Sequence, residues 1–236
     1  MSAADAANPT PAIGLAAPNA PPMASYSLDD YARGTFDQAM QTSIGPEGAL
    51  ELLLDGNARY RERRAHAYDL NEQSARTTGG QYPFAAVLSC IDSRVPVEHV
   101  FNLGIGDAFV ARVAGNVVDP ALLGSLEYAC AVAGTPLLVV LGHSKCGAVT
   151  SAVKDVKAGN ITDLLALIRP SVEAEGDTQE DPDPDFVERV VRRNVRDQIA
   201  KLRRDSPMLA DLERDGGLKI VGAVFHLGSG EVEVLD

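Results

Sequence analysis

Unbroken apolar runs alternate with segments of helical spacing through the centre of this chain. The runs at residues 84–88, 108–113 and 137–141 have the length and composition of strands that are buried on both faces. Residues 120–133, between the last two runs, carry apolar side chains at helical intervals. Strands separated by helices in this way predict an α/β fold in which helices cover both faces of a mostly parallel sheet.

The two ends of the chain have different patterns. Residues 1–25 are rich in alanine and proline and contain few large apolar side chains, which predicts a disordered or extended arm. Helical spacing then begins at Ser27, before the sheet, and predicts an N-terminal helical arm. The last apolar run and the alternating segment after it predict a terminal β-hairpin, at residues 218–227 and 231–235. We expect residues 26–236 to form one α/β domain.

Glycine and proline positions divide the remaining sequence. The dipeptide Gly45-Pro46 predicts a break before the next helix, and residues 65–80 have the composition of a connecting segment. Apolar residues recur at helical spacing in four further segments, at residues 46–64, 146–157, 162–173 and 184–204.

The composition excludes several classes of protein. Among 236 residues, 45% are hydrophobic, which is enough for a sizeable core. The net charge of −12 argues against a nucleic acid or an anionic membrane as partner. No apolar run approaches the ~18 residues of a membrane span. The three cysteines are too few for a disulfide scaffold, so we expect reduced thiols, with Cys130 in the core.

Metal-ligand residues follow two of the predicted strands. Cys90 comes directly after the first strand, and His143 and Cys146 follow the third. Because the carboxyl ends of neighbouring parallel strands meet at one edge of the sheet, these three side chains should converge. A catalytic zinc site uses three protein ligands, and thiolate with imidazole favours zinc over magnesium, calcium or manganese.

Asp92 and Arg94 stand beside the first of these cysteines and allow three interpretations. They could form a structural ion pair. Alternatively, Arg94 could keep Asp92 ionised and aimed, so that Asp92 orients a group bound to the metal. In the third interpretation Asp92 is the fourth metal ligand and closes the site.

The segment Cys90-Ile-Asp-Ser-Arg94, with His143-Ser-Lys-Cys-Gly147, resembles the signature of the β-class carbonic anhydrases. The likeness covers roughly residues 46–236 and is densest between residues 81 and 149. It implies a central sheet of four mainly parallel strands with a C-terminal edge strand, flanked by helices. It also implies one zinc ion per subunit, held by Cys90, His143 and Cys146, with Asp92 and Arg94 as the catalytic pair.

The resemblance extends to a substrate pocket. Gln81 stands where the plant-like branch of the family has a substrate-binding glutamine, nine residues before the first ligand. Phe109 and Tyr128 match an apolar wall that the family takes from the partner subunit, and Gly147 follows the last ligand. The family forms dimers or tetramers, so we expect a homodimer or homotetramer and an inactive monomer. Val113 departs from the asparagine that many members carry.

The resemblance implies reversible hydration of CO₂ to bicarbonate and a proton. In this mechanism Asp92, held by Arg94, orients a zinc-bound hydroxide for attack. One alternative is hydrolysis of CS₂ or COS on the same scaffold. The other is a zinc- or bicarbonate-binding protein with weak turnover, against which the intact Gln81 and the Asp92–Arg94 pair argue.

No histidine can be assigned as the proton shuttle, and His99 is the nearest candidate. The location is cytoplasmic by default, or periplasmic or secreted if a leader was removed.

Overall fold

A five-stranded sheet lies at the centre of the computed structural model, which describes residues 27–235. The strands stand in the order β2-β1-β3-β4-β5. Their bounds are Ala85–Ser89 (β1), Ala108–Arg112 (β2), Leu137–His143 (β3), Lys219–His226 (β4) and Glu231–Leu235 (β5). β1 is parallel to β2 and β3, β3 is parallel to β4, and β5 is antiparallel to β4. The predicted α/β fold, with four parallel strands and a C-terminal edge strand, is therefore confirmed.

Helices flank the sheet and precede it. Their bounds are Leu28–Arg33 (α1), Gln38–Arg61 (α2), Leu70–Thr77 (α3), Val97–Val100 (α4), Pro120–Glu127 (α5), Gly147–Val153 (α6), Gly159–Ala166 (α7), Arg169–Glu175 (α8), Pro184–Asp205 (α9) and Pro207–Arg214 (α10). α1 and α2 confirm the N-terminal helical region. The predicted arm at residues 1–25 lies outside the described residues. Over residues 27–235, no helix combines the length and apolar character needed to cross a membrane.

Several element boundaries differ from the sequence prediction for local reasons. The predicted break at Gly45-Pro46 is a kink within α2, where Gly45 has a φ of +61°. The helix predicted at residues 162–173 is two helices, because Pro170 lacks the N–H that would continue α7. α3 lies in the predicted connecting segment and buries only Gln73, so it lacks the apolar stripe that a pattern search detects. α10 was not predicted either; its cap is Ser206, whose hydroxyl accepts from the N–H of Leu209.

Both faces of the sheet are covered, which explains the unbroken apolar runs. Every residue of β1 and β3 is buried. Ala85 and Val87 face a core formed with α1 and α2, whereas Ala86 and Leu88 face the core formed with α6, α8 and α9. A strand buried on both sides has no polar face, and its sequence therefore shows no alternation.

Strand register brings the ends of β1 and β3 together. Ser89, the last residue of β1, pairs with Leu141 of β3. Cys90 therefore leaves the sheet within about two residues of His143, and both lie at the carboxyl edge.

A buried carboxylate lies at the opposite end of β2. Asp107 is 5% exposed, and one of its oxygens accepts from the backbone N–H of Gly104 at 2.6 Å. Its other oxygen has no hydrogen-bond partner. Burial raises the pKa of Asp107 to about 6, and the Gly104 N–H and the charge of Arg59 offset this only in part.

We expect Asp107 to make the protein less stable as pH rises. The folded state keeps a proton that the unfolded chain releases, so the free energy of unfolding should fall between pH 3.8 and about 6. Asp107→Asn should remove roughly 2–3 kcal/mol of this pH dependence. Denaturant unfolding of both proteins at pH 4 and pH 7 measures it, and an equal pH dependence in both would contradict the prediction.

Candidate metal centre

Three side chains that could bind a metal ion meet at the carboxyl edge of the sheet. Cys90 follows β1, His143 is the last residue of β3, and Cys146 caps the N-terminus of α6. Their ligand atoms all lie within 4.8 Å of one another, and the three residues are at most 4% exposed. Among the described residues, this is the group of cysteine, histidine and acidic side chains that could hold a metal ion.

The turn between β3 and α6 is held by its neighbour β4. The N–H of Ser144 donates to the carbonyl of Phe225 at 2.9 Å, and the hydroxyl of Ser144 accepts from the N–H of Leu227 at 3.0 Å. Lys145 then takes a left-handed conformation, with a φ of +55°, that sends the chain back into α6. This short reversal brings the ligand atoms of His143 and Cys146 close to each other.

The imidazole of His143 has one nitrogen engaged and one free. Nδ1 lies 3.0 Å from the carbonyl oxygen of Ser144 and donates to it. That contact leaves the lone pair on Nε2, which is buried and has no hydrogen-bond partner. A buried imidazole nitrogen without a partner is costly unless it binds a cation, and an outer carbonyl contact is usual for histidine metal ligands.

The two thiols interact strongly with each other. A hydrogen bond from Cys146 lowers the pKa of the Cys90 thiol, helped by the backbone N–H of Gly115. The same hydrogen bond, together with burial, raises the pKa of the Cys146 thiol. One proton thus stays on the pair unless a cation replaces it, so the donor set fits a metal ion that binds two thiolates.

Asp92 is held by Arg94 at three points. The Arg94 side chain donates to the two carboxylate oxygens at 2.9 and 2.7 Å, and its backbone N–H donates at 2.9 Å. These contacts hold the pKa of Asp92 well below its usual range. One of these oxygens also lies 3.8 Å from Nε2 of His143. The carboxylate therefore faces Arg94 while remaining next to the metal ligands.

Arg112, at the end of β2, is a residue of this centre that sequence reasoning missed. Its guanidinium donates to the carbonyl of Cys90 at 2.9 Å and to the carbonyl of Asp92 at 2.7 Å. It thereby holds the segment that carries both a ligand and the carboxylate. The sequence feature that could have indicated this role is its position at the carboxyl end of β2, next to the end of β1.

The residues predicted to bind substrate are not all brought to this centre. Phe109 pairs with Ala86, four residues before Cys90, and so lies roughly 13 Å from it along the strand. Tyr128 packs edge-on against Phe109, with ring centroids 6.3 Å apart, in a groove on the outer side of β2. Gln81 is exposed and precedes β1, at the opposite edge of the sheet.

Gly147 does lie at the centre, as the first residue of α6. A side-chain carbon added there would meet no atom of the chain within 4 Å. The surface next to Cys146 is therefore open, which leaves room for a small molecule or a second chain. His99 lies on α4 and is exposed.

Known proteins resemble this chain over most of its length. A family model described as carbonic anhydrase matches residues 85–232. A carbonic anhydrase of Mycolicibacterium smegmatis is 37% identical over 80% of this chain and 93% of the relative. Carbonic anhydrase 2 of Mycobacterium tuberculosis is 35% identical over 82% and 95%. A solved structure of tetrameric β-carbonic anhydrases from Sordaria macrospora has a TM-score of 0.62 at 26% identity, over 79% of this chain and 96% of that one.

Arg112→Gln should weaken metal binding. The variant loses both donors to the 90–92 segment, and loss of such outer contacts typically lowers metal affinity about 10- to 100-fold. Competition with a chelating dye measures the dissociation constant. Arg203→Gln is the matched control, because Arg203 pairs with Glu213 on the protein surface. Equal affinities of the two variants would contradict the role of Arg112.

Proposed function

Because the chain belongs to the carbonic anhydrase family, in its β class, we propose that it hydrates CO₂ reversibly with zinc held by Cys90, His143 and Cys146. The observation that carries the proposal is the buried group of two thiols and an unpartnered imidazole nitrogen, next to an ionised Asp92. A purely structural zinc site is closed by a fourth protein ligand, whereas the nearest carboxylate, Asp92, is bound by Arg94.

The donor set supports zinc as the metal. Thiolate and imidazole ligands suit zinc and disfavour magnesium, calcium and manganese. Three protein ligands leave the fourth position of a tetrahedral zinc site free for water. Zinc bound here would lower the pKa of that water and so supply a nucleophile.

Asp92 is suited to orient that nucleophile. An ionised carboxylate only accepts hydrogen bonds, so it fixes the direction of a donor O–H. Arg94 holds it in place with three N–H groups. If Asp92 were the fourth metal ligand, its carboxylate would have to turn away from these three Arg94 donors. The intact pair therefore supports an open site.

The substrate pocket is proposed to need a second copy of the chain. Gln81, Phe109 and Tyr128 cannot reach the ligands of their own chain, yet all three lie near its surface. A partner's phenylalanine and tyrosine would supply an apolar wall for CO₂. The partner's glutamine amide would donate to the oxygen on which negative charge develops. The tetrameric Sordaria macrospora relatives support an oligomer.

Asp92→Asn should reduce CO₂ hydration, measured by stopped flow, roughly 100-fold or more while zinc remains bound. The amide can donate as well as accept, so it no longer fixes the nucleophile. Asp215→Asn, at the exposed end of α10, is the control and should keep full activity. Full CO₂ hydration activity of Asp92→Asn would contradict the proposed role of Asp92 in orienting the nucleophile. Turnover of CS₂ but not CO₂ by the unchanged protein would support the alternative hydrolase.

Mixing two inactive variants tests the shared pocket. Cys90→Ser disables the metal site, and Gln81→Leu disables the substrate contact that the partner is proposed to supply. In a mixed dimer, one pocket carries both defects and the other carries neither. Freely exchanging dimers should therefore recover about a quarter of the unmodified activity. No recovery, with exchange verified by mass spectrometry, would place all pocket residues within one chain.

A further inference from the structure

A pair of buried amide side chains on α9 holds the loop at residues 114–118. Asn194 is 1% exposed and its amide N–H donates to the carbonyl of Gly115 at 2.9 Å. Gln198, one turn later, donates to the Asn194 side-chain oxygen at 3.1 Å and accepts from the N–H of Val118 at 2.8 Å. Gln198 therefore fixes which way the Asn194 amide faces, so that its donor group points at Gly115.

The other backbone group of Gly115 contacts a metal ligand. Its N–H donates to Sγ of Cys90 at 3.3 Å. One residue thus connects the α9 amide to the sulfur, with its carbonyl on Asn194 and its N–H on Cys90.

This loop needs external support to keep its shape. Gly115 and Asn116 both have positive φ, of 72° and 44°, and a non-glycine residue in that region costs free energy. A side-chain carbon at Gly115 would lie 2.5 Å from Ile168 and 3.3 Å from Ala148, so the loop is packed tightly against α6 and the start of α8. The contacts from Asn194 and Gln198 hold both sides of the turn.

An N–H bonded to a thiolate affects the metal that the thiolate binds. It withdraws electron density from the sulfur and fixes the direction of its lone pairs. Two thiolates donate much charge to a cation, so a hydrogen bond to one of them changes how strongly the cation polarises its fourth ligand.

We propose that Asn194 is a positioning residue for Cys90, acting through the backbone of Gly115. The proposal rests on the proposed zinc site. The side-chain nitrogen and oxygen atoms of Asn194 and Gln198 all take part in the hydrogen bonds named above. This series of hydrogen bonds ends at the sulfur of Cys90. The hydrogen bonds of the Asn194 side chain go to Gly115 and Gln198 and not to a metal ligand, so its effect on the metal would pass through the loop.

The test uses Co²⁺ in place of zinc, because thiolate-to-cobalt charge transfer reports the electron density on the sulfur. Asn194→Ala and Asn194→Leu both remove the donor, and leucine keeps the volume in the core. Asn57→Ala is the matched control. Asn57 is another buried asparagine; it donates to the carbonyls of Val100 and Gly230 and accepts from the N–H of Val232, away from the metal ligands.

In both Asn194 variants the charge-transfer band should move to longer wavelength, and the zinc dissociation constant should rise about 10-fold. Asn57→Ala should lower thermal stability without changing either readout. The positioning role alone would be overturned if an Asn194 variant that folds kept the cobalt spectrum and the zinc affinity of the unmodified protein. Its thermal stability would then be lowered, as in the Asn57→Ala control. Absence of thiolate charge transfer in the unmodified protein would overturn the proposed zinc site and this inference together.

Discussion

The parallel pairing of β1 with β3 is the constraint on which the metal centre depends. Cys90 and His143 are distant in sequence, and they become neighbours only because Ser89 pairs with Leu141. A shift of the register by one residue would turn every side chain of β1 to the other face. The apolar residues on both faces of β1 resist such a shift, since two separate cores would be disrupted. The packing of the sheet therefore sets the geometry of the ligands.

Charge compensation is the second requirement of this centre. Two buried thiolates and a carboxylate concentrate negative charge at one edge, and such charge is unfavourable unless it is paired. Three donors offset this charge. Arg94 donates to the Asp92 carboxylate, Arg112 donates to the backbone carbonyl of Asp92, and the N–H of Gly115 donates to the sulfur of Cys90. A divalent cation bound by Cys90, His143 and Cys146 would supply the remaining positive charge. These contacts distribute positive charge around the three side chains that could hold a metal, and they bind Asp92 to Arg94.

The sequence predicted those parts of the structure that local pattern determines. Apolar runs gave the strands, and the positions of Cys90, His143 and Cys146 after those strands predicted the ligand group, which the structure brings together. The contacts of Arg112 and Asn194 could not be predicted, because both side chains bind backbone atoms of distant segments. Such partners are invisible in a sequence, since a carbonyl is present at every residue. α3 and α10 were missed because each begins at a capping side chain, Asp69 or Ser206, and buries a single residue, which leaves no apolar stripe in the sequence.

The strand register also explains why one chain offers only part of a pocket. Phe109 belongs to β2, the edge strand, and its position is fixed opposite Ala86, well below the level of Cys90. Side-chain rotation cannot close a gap of roughly 13 Å along a strand. Gln81 is farther away, because it precedes β1 altogether. In the proposed pocket these groups would therefore come from a second copy of the chain, whose edge approaches in a different orientation. The same parallel sheet that brings Cys90 and His143 together thus keeps Gln81 and Phe109 of its own chain away from them, and this separation is why the proposed pocket needs an oligomer.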